Sequence, residues 1–357
     1  MKILIAGGAG MIGSHLCEQL IMEEHSVICL DNLSTGRIGN IRRWLDHPLF
    51  TFVQHDIING VPSLPHIDRI YHLASPASPP GFTRMPIETL RVNSEGSFHL
   101  LELARREGAR LLFASTSEAY GDPLEHPQRE EYRGNVSSIG PRSMYDEAKR
   151  FGEAMAMAFM RTHHVDSRIV RIFNTYGPQC DPEDGRLVVN FIVQALRQEP
   201  LTVYGDGRQT RSLCYVSDLV EGLMRAMEAN NWPGGAVNLG NPDEHSVLRF
   251  AEIIRELTGM HSEIVFTEPA VGDDPQRRRP DITRARAALG WEPQVGLNDG
   301  LMRTIDYLRL ELGIKAPSRL EALDPKLGGA ANGTVREVTR DDRRTLPAVT
   351  NGQPEGH

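Results

Sequence analysis

The sequence predicts an α/β protein with a doubly wound parallel sheet and a smaller mixed C-terminal lobe. Two observations carry this prediction. Short apolar runs alternate with helical patterns over the first half of the chain, which is typical of parallel strands covered by helices on both faces. A glycine-rich turn, Gly7-x-x-Gly10-x-x-Gly13, separates the first apolar run from the first helical stretch.

The predicted strands are short runs, several of them rich in Ile, Val and Phe, as expected for strands buried on both faces. They lie at 3–6, 26–30, 50–54, 69–74, 110–115 and 167–173. Helical patterns occupy 12–23, 86–107, 143–163, 187–198 and 217–229. Beyond about residue 176 loops interrupt the regular alternation, and this change predicts the smaller lobe, which closes over the first domain.

The first strand, turn and helix predict a dinucleotide site. Glycines let the backbone approach a pyrophosphate, and the N-terminus of the following helix offers it free N–H groups. Asp31 ends the second apolar run, 18 residues past Gly13, where a carboxylate accepts the adenosine ribose hydroxyls. Its negative charge disfavours a 2′-phosphate, so NAD is predicted rather than NADP. A turn with purely structural glycines is the alternative.

Composition narrows the classes of partner. A net charge of −8 disfavours broad attraction to nucleic acid or to anionic membranes. No stretch approaches the ~18–20 apolar residues of a membrane span, and the first strand begins at residue 2 with no signal peptide before it. The four cysteines form no CxxC pair, which indicates reduced thiols. We therefore expect a cytoplasmic protein, and the histidine spacing predicts no metal site.

The segment MYDEAKR places Tyr145 and Lys149 four residues apart, on one face of a predicted helix. A lysine beside a phenol favours phenolate and so lowers the phenol pKa, and phenolate is a competent base for a sugar hydroxyl. Alone, the pair also fits an ordinary surface helix. It follows a dinucleotide turn and a strand that ends in Ser115-Thr116-Ser117-Glu118, and in that context it predicts a redox site.

These segments resemble the extended short-chain dehydrogenase/reductase superfamily and, within it, the UDP-glucuronic acid decarboxylases (UDP-xylose synthases). The resemblance is carried by HLASPASPP (72–80), STSEAYGDPLEHPQ (115–128), GPRSMYDEAKR (140–150), RIFNTYGP (171–178), EPLTVYGDGRQTRSLCYVSDLVEGL (199–223) and DDPQRRRPDI (273–282). Matching segments extend from residue 1 to about 310. The residue types after the serine-rich strand separate this family from its neighbours.

Two related classes of enzyme fit less well. Nucleotide-sugar 4,6-dehydratases show Thr-Asp-Glu where this chain has Thr116-Ser117-Glu118, and serine is a poor acid for a leaving hydroxyl. UDP-galactose 4-epimerases show a Ser-Ser or Ser-Ala type of sequence there and need neither the glutamate nor the arginines of RRRPDI. Both differences favour decarboxylation. A related UDP-sugar enzyme and a catalytically silent sugar-binding protein remain the alternatives.

The resemblance implies that UDP-glucuronate is oxidised at C4, loses CO2 as a β-keto acid and is reduced again to UDP-xylose, with NAD regenerated. It implies that Tyr145 is the base, Lys149 its electrostatic partner and Thr116 the ligand of the C4 oxygen. Ser117, Glu118 and Arg278 are implied to handle the sugar carboxylate and protonation at C5.

The resemblance also implies two sets of binding residues. For NAD they are Gly7, Gly10, Met11, Ile12, Gly13, Asp31, Asn32, Thr35, Gly36, Asp56, Ile57, Leu73, Ala74, Ser75, Asn93, Ser115, Tyr145 and Lys149. For the UDP-sugar they are Pro79, Arg91, Asn174, Leu187, Val188, Asn190, Thr202, Tyr204, Arg211 and Arg278. Simple core packing is the alternative for Leu187 and Val188, and Arg91 stands where the family usually carries lysine.

The implied organisation has two parts and a tail. Residues 1–175, joined by 212–240, are predicted to form a Rossmann-type NAD-binding domain, and 176–211 with 241–315 a UDP-sugar-binding lobe. The last 42 residues, 316–357, contain no aromatic residue, and this composition predicts a disordered tail. The superfamily usually forms homodimers through the helices that correspond to 86–107 and 143–163, so a homodimer is expected.

Overall fold

The computed structural model describes residues 1–268 and 275–315. Its strands are β1 Lys2–Ala6, β2 Ser26–Asp31, β3 Phe50–Gln54, β4 Arg69–His72, β5 Arg110–Thr116, β6 Ser167–Ile172, β7 Thr175–Tyr176, β8 Leu201–Tyr204, β9 Thr210–Ser212, β10 Cys214–Tyr215, β11 Ala236–Leu239, β12 Glu244–Ser246 and β13 Ile264–Thr267. Its helices are α1 Met11–Met22, α2 Ile38–Ile41, α3 Pro79–Arg84, α4 Pro86–Arg91, α5 Ser97–Glu107, α6 Ser143–His163, α7 Leu187–Leu196, α8 Val216–Glu228, α9 Val247–Thr258, α10 Thr283–Leu289 and α11 Leu297–Glu311.

The main sheet has seven strands in the order β11-β6-β5-β4-β1-β2-β3, all parallel. The chain order reverses beside β1, as it does in a doubly wound fold. The predicted fold class is confirmed. The remaining strands form separate pairs, of which β7–β10 and β8–β13 are parallel and β9–β12 is antiparallel.

Helices cover both faces of the sheet, which explains why its central strands carry apolar residues on both sides. In β1, Ile3 and Ile5 pack into one hydrophobic cluster together with α1, α7 and α8, whereas Leu4 and Ala6 pack into a second cluster with α5. Successive side chains of a strand point to opposite faces. A strand buried on both sides therefore shows a continuous apolar run instead of alternation.

The single helix predicted over 86–107 is interrupted. Between α4 and α5 the segment Val92–Gly96 forms a wider, π-helical turn. Asn93 lies in this turn, and its side-chain Nδ2 donates to the Thr89 carbonyl and to Ser75 Oγ, both at 2.9 Å. A π-helical turn inside a helix often marks a functional position, and this one turns Asn93 toward the end of β4.

Two predictions about the organisation of the chain stay predictions. The division of residues 1–315 into an NAD-binding domain and a sugar-binding lobe stays a prediction, although β11 is an edge strand of the main sheet. The predicted disorder of 316–357 lies outside the described residues.

Cys17, Cys29, Cys180 and Cys214 are buried free thiols. Among the described helices, none combines the length and hydropathy needed to cross a membrane.

Candidate active site

The carboxyl ends of the central strands line an open cleft. Such an edge, where the strand order reverses, is where open α/β sheets bind ligands. Most residues predicted to bind NAD contribute to its wall, namely Gly7, Gly10, Asp31, Asn32, Thr35, Gly36, Asp56, Ile57, Leu73, Ala74 and Ser75. The predicted residues Met11, Ile12 and Gly13 form the first turn of the adjacent helix α1.

Glycines are required in the turn between β1 and α1. Gly7 has a φ of +85°, and a Cβ there would lie 2.7 Å from the Ala74 backbone nitrogen. A Cβ at Gly13 would overlap the carbonyl oxygen of Gly7. Side chains at these positions would therefore push the turn away from β4 or from the helix. Without them the backbone stays close enough for the N-terminus of α1 to face an anionic ligand.

Asp31 is held at the end of β2 by the backbone around it. Its carboxylate accepts hydrogen bonds from the amides of Ala9, at 2.9 Å, and Leu33, at 2.8 Å. A Cβ on Gly36 would lie 2.7 Å from Asp31 Oδ1, so only glycine leaves this side of the carboxylate open. Burial raises the pKa of Asp31, and the two amide hydrogen bonds oppose that shift. The geometry fits a carboxylate that accepts ribose hydroxyls.

Two further polar groups support a nucleotide in this cleft. Asn32 Nδ2 donates to Asp56 Oδ2 at 3.0 Å, which joins the ends of β2 and β3. Asn93 is fully buried, and its Oδ1 has no hydrogen-bond partner among the described residues. Because buried polar atoms are rarely left unsatisfied, this oxygen indicates a missing ligand donor. The residues present therefore fit NAD.

The predicted catalytic residues converge at the end of β5. Thr116 ends that strand, and its Oγ1 accepts a hydrogen bond from the Glu118 amide at 3.2 Å. Tyr145, in the first turn of α6, lies beside the Thr116 side chain. Phe82 of α3 stacks on the Tyr145 ring at a centroid distance of 5.1 Å. The phenol thus lies between the Thr116 side chain and an aromatic ring, and Ser117, the next residue after Thr116, is buried.

Burial governs the electrostatics of the Tyr145–Lys149 pair. Burial and the Glu118 charge raise the pKa of Tyr145 to about 12, and the hydrogen bond from Thr116 opposes them. Burial lowers the pKa of Lys149 to about 7. The Lys149 Nζ lies 5.9 Å from the Tyr145 ring centroid and donates to the Ala114 carbonyl at 2.8 Å. Burial therefore dominates the pKa of Tyr145, and the lowering of that pKa by Lys149 stays a prediction.

Glu118 lies between two buried arginines. Arg278 forms a two-pronged pair with it, in which Nη1 contacts Oε1 and Nη2 lies 2.8 Å from Oε2. Arg142 Nη2 also lies 2.8 Å from Oε2. Burial opposes ionisation of Glu118, but the charges of Arg278 and Arg142 hold its pKa at about 2. Sequence reasoning missed Arg142, although it stands in the same segment as Tyr145, because nothing local shows that it reaches Glu118.

The predicted substrate residues lie on several elements of the second half of the chain. Arg211 is buried on β9, and its Nη1 donates to the Thr210 carbonyl at 2.8 Å. Asn190 on α7 donates through Nδ2 to the Gly185 carbonyl at 3.0 Å. Val188 belongs to the hydrophobic core, and Leu187 is partly buried against it. Both therefore take part in core packing, whatever contact they make with a base.

The other predicted substrate residues flank this region. Thr202 exchanges hydrogen bonds with the Gln194 side chain, and Tyr204, two residues later on β8, is 44% exposed. Asn174, between β6 and β7, accepts at its carbonyl from the Cys214 amide. Pro79 opens α3, the helix that carries Phe82. These positions leave the roles of the residues as predictions.

The side chains of two predicted binding residues form hydrogen bonds within the protein. The Arg91 guanidinium is exposed on α4 and forms two hydrogen bonds with Glu95, at 2.8 and 2.9 Å. A sugar or phosphate contact from Arg91 would require this pair to open. Ser115, predicted to touch NAD, donates its hydroxyl to Glu153 Oε1 at 2.5 Å. Its side chain is therefore directed to α6.

Comparisons with known proteins agree with this geometry. The model of the NAD-dependent epimerase/dehydratase family matches residues 3–240. UDP-glucuronic acid decarboxylase 1 of Xenopus tropicalis is 53% identical over 87% of this chain and 73% of its own length. UDP-glucuronic acid decarboxylase 5 of Arabidopsis thaliana is 50% identical over 88% of this chain and 91% of its own length. The chain belongs to the UDP-glucuronic acid decarboxylases of the NAD-dependent epimerase/dehydratase family.

A solved structure places the same fold around the expected ligands. UDP-glucuronic acid 4-epimerase from Bacillus cereus, crystallised with UDP-glucuronic acid and NAD, is 30% identical and superposes with a TM-score of 0.79. The match covers 87% of this chain and all of the epimerase chain. Family membership confirms the resemblance that the motifs around Tyr145 indicated, and it confirms NAD as the cofactor of this family.

Proposed function

We propose that this protein decarboxylates UDP-glucuronate to UDP-xylose through a UDP-4-keto intermediate, with the same NAD oxidising and then reducing C4. One observation carries the proposal. In a chain about 50% identical to decarboxylases, Tyr145 and Thr116 lie beside the Glu118–Arg278 pair at the end of β5. A base for the C4 hydroxyl and a guanidinium for the sugar carboxylate are thus close together.

The groups that would hold NAD are those of the cleft. The turn at Gly7 and the start of α1 would receive the pyrophosphate, Asp31 the adenosine ribose, and Asn93 a polar group deeper in the cleft. The chemistry that NAD supplies when bound is a reversible two-electron oxidation at C4 of the sugar. The protein's own residues supply the proton transfers and the orientation.

Tyr145 is proposed to remove the C4 hydroxyl proton and Thr116 to orient the C4 oxygen. Oxidation makes C4 a ketone, which places the C6 carboxylate β to it. The C5–C6 bond then breaks, C6 leaves as CO2, and the electron pair delocalises onto the C4 oxygen as an enolate. A proton added at C5 restores the ketone, and reduction at C4 with return of the Tyr145 proton gives UDP-xylose.

Glu118, Ser117 and Arg278 are proposed to act on the carboxylate and on C5. The two-pronged geometry of the Arg278 guanidinium suits a carboxylate, so Arg278 can exchange Glu118 for the carboxylate of the sugar. Glu118 and Ser117 then lie near the carbon that is protonated. Arg211 is the proposed ligand of the diphosphate, with Asn174, Asn190, Thr202 and Tyr204 around the nucleotide.

The product mass tests the proposed reaction. Purified protein incubated with UDP-glucuronate and NAD⁺ is expected to form UDP-xylose with no net accumulation of NADH. Mass spectrometry separates the outcomes, because decarboxylation removes CO2, dehydration removes water, and 4-epimerisation leaves the mass unchanged. A 4-keto pentose with accumulating NADH would indicate an enzyme that releases its intermediate. Unchanged or epimerised substrate would overturn the proposal.

We further propose a homodimer formed through α4, α5 and α6, in a reducing, cytoplasmic setting. Large apolar side chains are exposed on these helices, among them Ile87, Phe98 and Phe151, and a second copy would cover them. The four buried free thiols are compatible with a reducing compartment. Light scattering should give twice the chain mass of 39.8 kDa, and a mass of one chain would contradict the dimer.

A further inference from the structure

A buried glutamate next to the catalytic helix face has no role in the proposed reaction. Glu153 follows Lys149 by one helical turn on α6, as Lys149 follows Tyr145, so the three side chains share one face. The Glu153 side chain is only 14% exposed. Because burying a carboxylate is costly unless it is paired, its partners indicate what it is for.

Glu153 is held by two neighbouring strands of the sheet. Ser115 of β5 and Arg171 of β6 are register partners, and both reach the Glu153 carboxylate. Arg171 donates from Nε to Oε1 at 2.8 Å and from Nη2 to Oε2 at 2.7 Å, and Ser115 Oγ donates to Oε1. The carboxylate is thus fixed by a two-pronged, charge-assisted pair and a hydroxyl.

Glu153 is the negatively charged group near Lys149 that can stabilise its ammonium form. Lys149 is buried, and its Nζ lies 5.2 Å from the Phe113 ring centroid. His72 of β4 faces it but stays neutral, since burial and Lys149 lower the His72 pKa to about 3. Tyr145 lies on the same helix, and the Glu118 charge next to Tyr145 is already compensated by arginines. The charge of Glu153 opposes the loss of the Lys149 proton.

We propose that Glu153 is a positioning residue: fixed by Arg171 and Ser115, its carboxylate favours the charged form of Lys149 beside Tyr145 and so opposes the effect of burial. The inference deepens the proposed function, on which it rests for the role of Lys149. A fixed carboxylate can hold a buried ammonium in its charged form without contacting substrate or cofactor. Arg171 acts in the opposite sense, since its positive charge partly offsets that of Glu153.

The direction of the effect on Lys149 protonation can be predicted for substitutions of Glu153 and of Arg171. Glu153→Gln keeps the shape and an acceptor for Ser115 but removes the negative charge, so Lys149 loses its proton at lower pH. Arg171→Gln removes the opposing positive charge but keeps an amide that can donate to the Glu153 carboxylate, so Lys149 keeps its proton to higher pH. The alkaline limb of the activity profile should therefore move down by about one pH unit in the first variant and up in the second.

The experiment measures two pH profiles for each variant, those of kcat and of the dissociation constant of NAD⁺. Thermal melts at each pH restrict the comparison to folded protein. Glu147→Gln is the matched control, because Glu147 lies on the same helix in a surface pair with Arg150, and it should move neither profile. Opposite shifts in the Glu153 and Arg171 variants are the expected result.

The other outcomes separate the hypotheses. If both variants lose activity at every pH with unmoved limbs, Glu153 has a purely structural role and the inference is overturned. If the wild-type protein forms no UDP-xylose, the proposed function fails. The NAD⁺ profile then decides this inference alone, because it requires no sugar. Opposite shifts of the NAD⁺ profiles in the two variants would support the positioning role of Glu153, and equal profiles would reject it.

Discussion

Tyr145→Phe is expected to lower kcat by about 10²–10⁴-fold while leaving the fold intact. The substitution removes the hydroxyl that lies beside Thr116 and keeps the ring that stacks on Phe82. Loss of this hydroxyl should cost no more than one hydrogen bond contributes, about 1 kcal/mol of unfolding free energy. Turnover of UDP-glucuronate, followed by the mass of the product, measures the effect.

The matched control is Tyr176→Phe. Tyr176 is also buried. Its substitution by Phe removes one hydrogen bond, from the hydroxyl to the Leu297 carbonyl at 3.2 Å. It should show a similar loss of stability and near-normal turnover. If Tyr145→Phe turned over like the wild type, Tyr145 would not be the base and the proposed mechanism would fail.

Arg278→Ala is expected to lower the rate of decarboxylation by about 10²–10³-fold. The change removes the two-pronged partner of Glu118 and leaves Arg142 alone beside that carboxylate. The mechanism predicts that C4 oxidation survives better than CO2 loss, so NADH should appear transiently in a single turnover. Stopped-flow absorbance of NADH and the mass of released CO2 or UDP-xylose separate the two steps.

Two variants control this prediction. Arg277 precedes Arg278 in the chain but is exposed, so Arg277→Ala should retain wild-type rates. Arg278→Lys keeps the charge and loses the planar fork, and it should recover only part of the activity. Equal effects of Arg277→Ala and Arg278→Ala would show that these arginines act through their positive charge and that no specific contact of Arg278 is required.

Protonation of Glu118 should also lower the stability of the folded protein at low pH. Arg278 and Arg142 hold the folded-state pKa of Glu118 at about 2, below the ordinary value of 4.5. A depressed carboxyl pKa contributes stability above the unfolded-state value, and this contribution is lost as the pH falls from about 4.5 toward 2. The contribution is therefore fully present at neutral pH, which makes Arg278→Ala the sharper test.

The sequence by itself determined the features that depend on local spacing. Continuous apolar runs predicted the strands of a sheet buried on both faces, because each face of β1 packs into its own cluster. The glycines at 7 and 13 and the acid at 31 predicted a dinucleotide turn, since backbone approach and strand end are properties of a few neighbouring residues. Tyr145 and Lys149 share a helix face for the same reason.

Only the tertiary structure decided which distant groups meet and what their charges do. Glu118 and Arg278 are 160 positions apart, and the reach of Arg142 to Glu118 depends on how α6 packs against β5. The β5–β6 register brings Ser115 and Arg171 to Glu153. Burial and the charge of Glu118 raise the pKa of Tyr145 to about 12. Desolvation and strand register arise from packing, and no local pattern in the sequence encodes them.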